Sequence, residues 1–168
     1  QTCALPIYAV CVVGEHQTVA PTVTQDRTCI KCAVGTFSNA SNLASCFACG
    51  ADEFQPYAGQ GFCSKNTVCA VGEQQVVAPT ATSDRVCSKC AQGTFSNATN
   101  LASCFVCGAD EFQVSAGQGF CTKHTVCAAG EQQVVAPTAT SDRACNKCEP
   151  GSFSNASNLV AGSFSNTT

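Results

Sequence analysis

Residues 82–107 read TSDRVCSKCAQGTFSNATNLASCFVC, and this stretch decides the fold. Four cysteines fall in it, Cys87, Cys90, Cys104 and Cys107, spaced as Cys-x2-Cys-x13-Cys-x2-Cys. The residues between them are mostly Gly, Ser, Asn, Thr and Ala, without a sustained 3.6-residue apolar period, so long helices are not expected. Just upstream, VVAPTATSDR at 76–85 places β-prone Val76 and Val77 ahead of Pro, Thr, Ser and Asp. That order suits a short two-stranded ladder closed by a turn.

The whole chain follows this example. Sixteen cysteines in 168 residues, with no Met or Trp, point to a scaffold held by covalent staples. The 45% hydrophobic content counts those cysteines and many Ala and Val, while ten Phe and two Tyr are the main bulky side chains. Burial alone would leave each segment marginal. Charged residues are only 11% and the net charge is −3, so no basic stripe exists for nucleic acid or an anionic membrane surface. No apolar run is long enough to span a bilayer.

Self-similarity organises the chain. CVVGEHQTVAPTVTQDRTCIKC from Cys11 returns as CAVGEQQVVAPTATSDRVCSKC from Cys69 and as CAAGEQQVVAPTATSDRACNKC from Cys127, a period of 58 residues. Residues 11–68 and 69–126 agree at 44 of 58 positions without insertion or deletion. The expected organisation is a partial leader at 1–10, repeats at 11–68 and 69–126, and a partial repeat at 127–168. Gln1 to Ile7, QTCALPI, match nothing at the corresponding place in later repeats and read like a translated adapter sequence; if they are one, both ends are arbitrary cuts through a longer protein. The fold class expected is small and disulfide-rich: tandem cysteine-rich modules with short β-hairpins and irregular loops, joined into an elongated rod without flexible linkers.

The run from Thr82 resembles the cysteine-rich domains of tumour necrosis factor receptors, where a turn ending in Asp leads to Cys-x-x-Cys, then Gly, an aromatic residue and a further Cys. The likeness recurs from Thr24 and, in part, from Thr140. The run is also similar to ephrin-receptor-like cysteine-rich repeats. One departure is that thirteen residues lie between Cys49 and Cys63, where the receptor family sets its third and fourth cysteines close together. The resemblance implies a first bridge at Cys32–Cys46 and Cys90–Cys104, and loops of that size are worth about 3 kcal/mol in the chain-entropy account. For the remainder the crossed pattern Cys49–Cys69, Cys63–Cys87, Cys107–Cys127 and Cys121–Cys145 is preferred over the sequential one, Cys49–Cys63 and Cys69–Cys87. The crossed scheme leaves Cys11 without a mate, Cys148 faces Gly162 where the repeat would place a cysteine, and Cys3 is out of phase. Head-to-tail pairing of these end cysteines between chains, or continuation in one longer polypeptide, would account for them equally.

Other chemistry is weighed against plainer readings. The Cys-x2-Cys pairs approach zinc-ligand spacing, but two further cysteines per repeat and the glycosylation sequons argue for bridges in an oxidising compartment. No helix start is available to activate a redox cysteine pair. His16 and His124 occupy different repeat positions, which argues against a shared catalytic base. No enzymatic activity, metal or cofactor is expected. The adjacent acids Asp52/Glu53 and Asp110/Glu111 read as solvated turns rather than a calcium loop, and the Asp-Arg pairs at 26/27, 84/85 and 142/143 read as turn-forming. The recurring phenylalanines are expected to pack on the bridges as each module's small core. The sequons Asn39-Ala-Ser, Asn97-Ala-Thr and Asn155-Ala-Ser share one repeat position, and Asn166-Thr-Thr follows; all four asparagines are expected to carry N-linked glycan, with O-linked sugar possible beside Pro79.

Function follows from uniformity. Repeats that meet copies of themselves need one surface many times, so the expected role is a secreted structural glycoprotein, a self-associating building block of an extracellular fibre, stalk or coat. The alternative, which the resemblance implies, is a cell-surface receptor ectodomain for a TNF-like protein ligand. Recent duplication alone would also leave the repeats alike.

Overall fold

The computed structural model describes residues 8–154, 157 and 158. Among them there are strands and turns and no helix. The first repeat contributes β1 (Glu15–Val19), β2 (Thr28–Lys31), β3 (Thr36–Phe37), β4 (Phe47–Ala48), β5 (Glu53–Phe54) and β6 (Ser64–Lys65). The second repeats them as β7 (Glu73–Val77), β8 (Val86–Lys89), β9 (Thr94–Phe95), β10 (Phe105–Val106), β11 (Glu111–Phe112) and β12 (Thr122–Lys123), and the third begins with β13 (Glu131–Val135) and β14 (Ala144–Lys147). Each strand pairs with its sequence neighbour, giving seven two-stranded sheets. The ladder expected around Val76 and Val77 is the β7–β8 pair, with Thr80 and Ser83 bridging its turn.

Local chemistry explains these elements. Gly35, at φ +75°, supplies the left-handed residue of the Ala33–Thr36 turn, which the Thr36 N–H closes on the Ala33 carbonyl at 3.1 Å. Phe37 then faces Phe47 across β3–β4, with ring centroids 5.7 Å apart. In β1–β2 the register slips between Gln17 and Val19, a bulge that β13–β14 repeats between Gln133 and Val135.

The chain forms two compact units, Gln1–Val68 with Val77–Val86, and Cys69–Val76 with Cys87–Thr168. In the first, segment 77–86 belongs where it does because the Gln55 N–H donates to the Ala81 carbonyl at 2.9 Å and Asp84 accepts from Thr67. In the second, Gln113 donates to Ala139 at the same distance of 2.9 Å.

Among the described residues, seven bridges join cysteines that are neighbours in sequence order. They are Cys11–Cys29, Cys32–Cys46, Cys49–Cys63, Cys69–Cys87, Cys90–Cys104, Cys107–Cys121 and Cys127–Cys145. The crossed scheme is therefore corrected: Cys49 does not bond Cys69, Cys63 does not bond Cys87, Cys107 does not bond Cys127, and Cys121 does not bond Cys145. The reason is the β5–β6 hairpin. Its register, Glu53↔Lys65 and Phe54↔Ser64, and the Asn66-to-Asp52 backbone bond of 2.8 Å bring Cys63 back beside Cys49, Cα to Cα 5.8 Å. Cys69 is left for Cys87, 5.4 Å away. Cys11 likewise has a mate within the chain, Cys29, so it is not available to a second copy. Cys148 carries a free, half-buried thiol, and Cys3 lies outside the described residues.

The core is sulfur and short polar side chains. Cys11, Cys32, Cys69, Cys90 and Cys127 are wholly buried, as are Ser38 and Ser96, with Gln55, Gln113 and Ser154 nearly so. The expectation of a phenylalanine core is corrected: Phe37, Phe54, Phe95 and Phe112 are half-buried, while Phe47, Phe62, Phe105, Phe120 and Phe153 are exposed. Hairpins two residues long cannot enclose a ring, and no phenylalanine among the described residues is buried.

Candidate interaction surface

Three polar clamps fix the loops from which the surface is built. Asn42 adopts φ +61°, donates its N–H to the Cys11 carbonyl at 2.9 Å and accepts the Cys11 N–H on Oδ1 at 3.0 Å. Asn100 does the same for Cys69 at 3.0 and 2.9 Å, and Asn158 for Cys127. Asparagine suits this role because it tolerates the left-handed region and carries a short acceptor. The recurring Asn-Leu after each sequon was the available signal, but its partner lies 31 residues upstream.

The second clamp is a buried glutamine. Gln55 Nε2 donates to the Phe62 carbonyl at 2.7 Å while Oε1 accepts from the Tyr57 N–H at 3.1 Å, so one amide closes loop 55–62. Gln113 repeats this with Phe120 and Ser115. The backbone of that loop leaves Phe62 and Phe120 pointing outward, 64% and 63% exposed.

The third clamp explains the Asp-Arg pairs. Asp84 accepts from the Thr67 N–H at 2.6 Å and the Thr67 hydroxyl at 2.5 Å, while Arg85 Nη1 donates to the Thr67 carbonyl at 2.7 Å. Thr67 is thus held on its backbone and its side chain by two consecutive residues. Asp142 and Arg143 hold Thr125 the same way. The Thr67 hydroxyl and N–H lower the Asp84 carboxyl below its ordinary range, and Thr125 takes that of Asp142 to about 2. Where Thr67 stands, the first repeat has Ala9, whose N–H donates to both oxygens of Asp26 at 2.9 and 3.0 Å.

The two histidines sit in unlike places. His124 stacks on Phe112 with centroids 5.1 Å apart, and its Nδ1 lies 3.4 Å from Asp142 Oδ1 but is poorly aligned for a hydrogen bond. His16 Nδ1 lies 3.1 Å from Cys46 Sγ. Among the described residues, His16, Cys32 and Cys46 form the single three-member group of metal-capable side chains, and its two sulfurs are joined to each other. In the first four Cys-x2-Cys pairs the two members belong to different bridges, as Cys29 to Cys11 and Cys32 to Cys46, which is bridge geometry rather than zinc geometry; in the fifth, Cys145 is bridged to Cys127 and Cys148 is free. Asn39 and Asn97 are exposed; Asn155 and Asn166 lie outside the described residues.

What remains exposed is apolar at matching positions: Phe47 and Phe105 at 48%, Phe62 and Phe120, and Val68 and Val126 at 60% and 61%. The arrangement defines a small disulfide-rich protein of tandem cysteine-rich repeats whose folding residues are sulfur and short polar groups. No protein-family profile matches the chain, and no curated protein does. Among solved structures, a chain of the mouse RANKL–OPG complex is similar at 20% identity over 90% of this chain and 85% of that one, with a TM-score of 0.27. A chain of the human RANKL/OPG complex is similar at 20% identity over 89% and 95%, with a TM-score of 0.26.

Proposed function

We propose that the chain is a segment of an extracellular, protein-binding ectodomain whose modules offer repeated exposed phenylalanines to a protein ligand. One comparison carries the reading. Repeats one and two differ at fourteen positions, and eleven of these are exposed in the first repeat while none is buried. Change is thus concentrated at the surface, and exposed Phe47/Phe105 and Phe62/Phe120 are among the 22 of 33 exposed positions that stay the same in both. Phe47 and Phe105 also pair with Phe37 and Phe95 across their hairpins, whereas Phe62 and Phe120 take no part in those ring pairs, and exposed aromatics of that kind are the usual anchors of protein interfaces. The cysteine-rich likeness from Thr82 supports a TNF-like protein as ligand, and the bridges support an oxidising, extracellular setting. No described helix is long and apolar enough to cross a membrane. Asn39 and Asn97, exposed in a Gly-Thr-Phe-Ser-Asn turn, are the proposed glycan sites with Asn155 and Asn166.

A filament-forming role keeps one observation in its favour, the agreement of 44 positions in 58. Sedimentation and electron microscopy of the purified native protein separate the two. The binding reading expects isolated particles that capture a trimeric TNF-like ligand, with F62A/F120A lowering affinity by roughly tenfold or more. Long polymers, with no effect of F62A/F120A on ligand capture, would establish the filament instead.

A further inference from the structure

We propose that the Cys32–Cys46 bridge is a thiol-exchange site for small aliphatic thiols, with His16 as its positioning residue and proton donor. The inference does not depend on the ligand-binding reading. It rests on a difference between two otherwise matching modules. In the first, His16 Nδ1 lies 3.1 Å from Cys46 Sγ, and the donor atoms of His16, Cys32 and Cys46 all lie within 4.8 Å of one another. In the second, the same strand position is Gln74, whose Oε1 accepts the Cys104 backbone N–H at 3.1 Å. The amide is spent on the backbone and brings no proton to sulfur. The bridges themselves match, with Cα–Cα separations of 5.7 Å in both, the first cysteine wholly buried and the second half-buried.

Exposure decides the direction of attack. Cys32 Sγ belongs to a wholly buried residue, so an incoming thiolate meets Cys46 Sγ. The thiolate bonds to Cys46 Sγ as the Cys46–Cys32 bond breaks, and Cys32 leaves as a thiolate. The His16 imidazole, whose Nδ1 contacts Cys46 Sγ at 3.1 Å and lies within 4.8 Å of the Cys32 sulfur, gives the departing Cys32 sulfur a proton and recovers one from solvent. The products are a mixed disulfide at Cys46 and a thiol at Cys32, with no net oxidation. A second equivalent of the same thiol releases the symmetric small disulfide and leaves both cysteines reduced. Leaving sulfurs with a proton source or cationic neighbour depart faster, which Gln74 does not provide for Cys90. Opening this bridge frees the loop that carries β3 and the Asn39 sequon.

The test uses the full oxidised chain exposed briefly to reduced glutathione, quenched with iodoacetamide and read by peptide mass. Glutathione on Cys46 is expected to accumulate roughly tenfold faster than on Cys104 of the same molecules. H16Q, which installs the residue the second module already tolerates, should bring Cys46 down to the Cys104 rate. Q74H should raise Cys104 toward the rate of Cys46. Equal rates at the two bridges of the native chain would overturn the proposal, as would an H16Q protein that reacts like the native one.

Discussion

Gly72→Ala and Gly130→Ala perturb the same backbone conformation in two different surroundings. Gly72 has φ +87° and Gly130 has φ +86°, so alanine meets the same left-handed penalty at both, about 1–2 kcal/mol. A Cβ on Gly72 would stand 2.1 Å from the Gly117 carbonyl oxygen, whereas no described atom lies within 4 Å of one on Gly130. To reach an ordinary contact the two loops must part by more than an ångström. That separation strains the Gly72-to-Ser96 bond at 2.8 Å, the Cys90-to-Gly72 bond at 2.9 Å and the Gly117-to-Cys90 bond at 2.8 Å. At about 1 kcal/mol each, G72A should cost about 3 kcal/mol more than G130A. Hydrogen exchange with the bridges intact reads this locally: the Cys90 and Gly117 amides should exchange on the order of a hundredfold faster in G72A and unchanged in G130A. Equal protection in the two variants would refute the steric argument and leave only backbone conformation.

Acid should act through Asp142. Its carboxyl is held at about 2 against an ordinary 3.8, so the Thr125 clamp contributes fully above about pH 4 and is lost as pH falls through about 2. T125V should raise the Asp142 pKa toward 3.8 in a carboxylate NMR titration, and an unmoved titration would show that Thr125 is not the cause. Asn100→Ala should cost about 2 kcal/mol by losing both the acceptor for Cys69 N–H and tolerance of φ +58°. N100G should recover only the backbone part, and denaturation showing full recovery would mean the side-chain bond contributes nothing. Peptide mapping of native protein should join Cys49 to Cys63 and Cys69 to Cys87 and leave Cys148 open to iodoacetamide, whereas Cys63 joined to Cys87 would restore the crossed scheme.

The repeat, the absence of long helices and the ladder after Val76 were legible because each is written in consecutive residues. The bridge order was not. It depends on β5 and β6, pairs of residues too short to show a period, and only their register brings Cys63 back to Cys49. The clamps were hidden for a related reason. Asn42 reads as a turn residue, and nothing local says that it holds Cys11. Asp84 and Arg85 read as a pair, and the Arg85 N–H does donate to Asp84, yet each also engages Thr67, seventeen and eighteen residues upstream. Short polar residues carry no sequence signature of their distant partners, whereas a hydrophobic stripe declares the face it buries.

A fold held in this way frees its large side chains. The largest fully buried side chains in the described chain are cysteines and serines, and the loop behind Phe62 is closed by the Gln55 amide and the backbone, not by the ring. Phe62 and Phe120 therefore add little to stability, since rings 64% and 63% exposed give up little area to the protein. F62A/F120A should unfold within about 1 kcal/mol of the native chain, in the range of ordinary surface changes. Thermal unfolding with the bridges intact measures this. A loss of several kcal/mol would show that the two rings are needed to fold the modules, and their sameness in both repeats would then need no ligand to explain it.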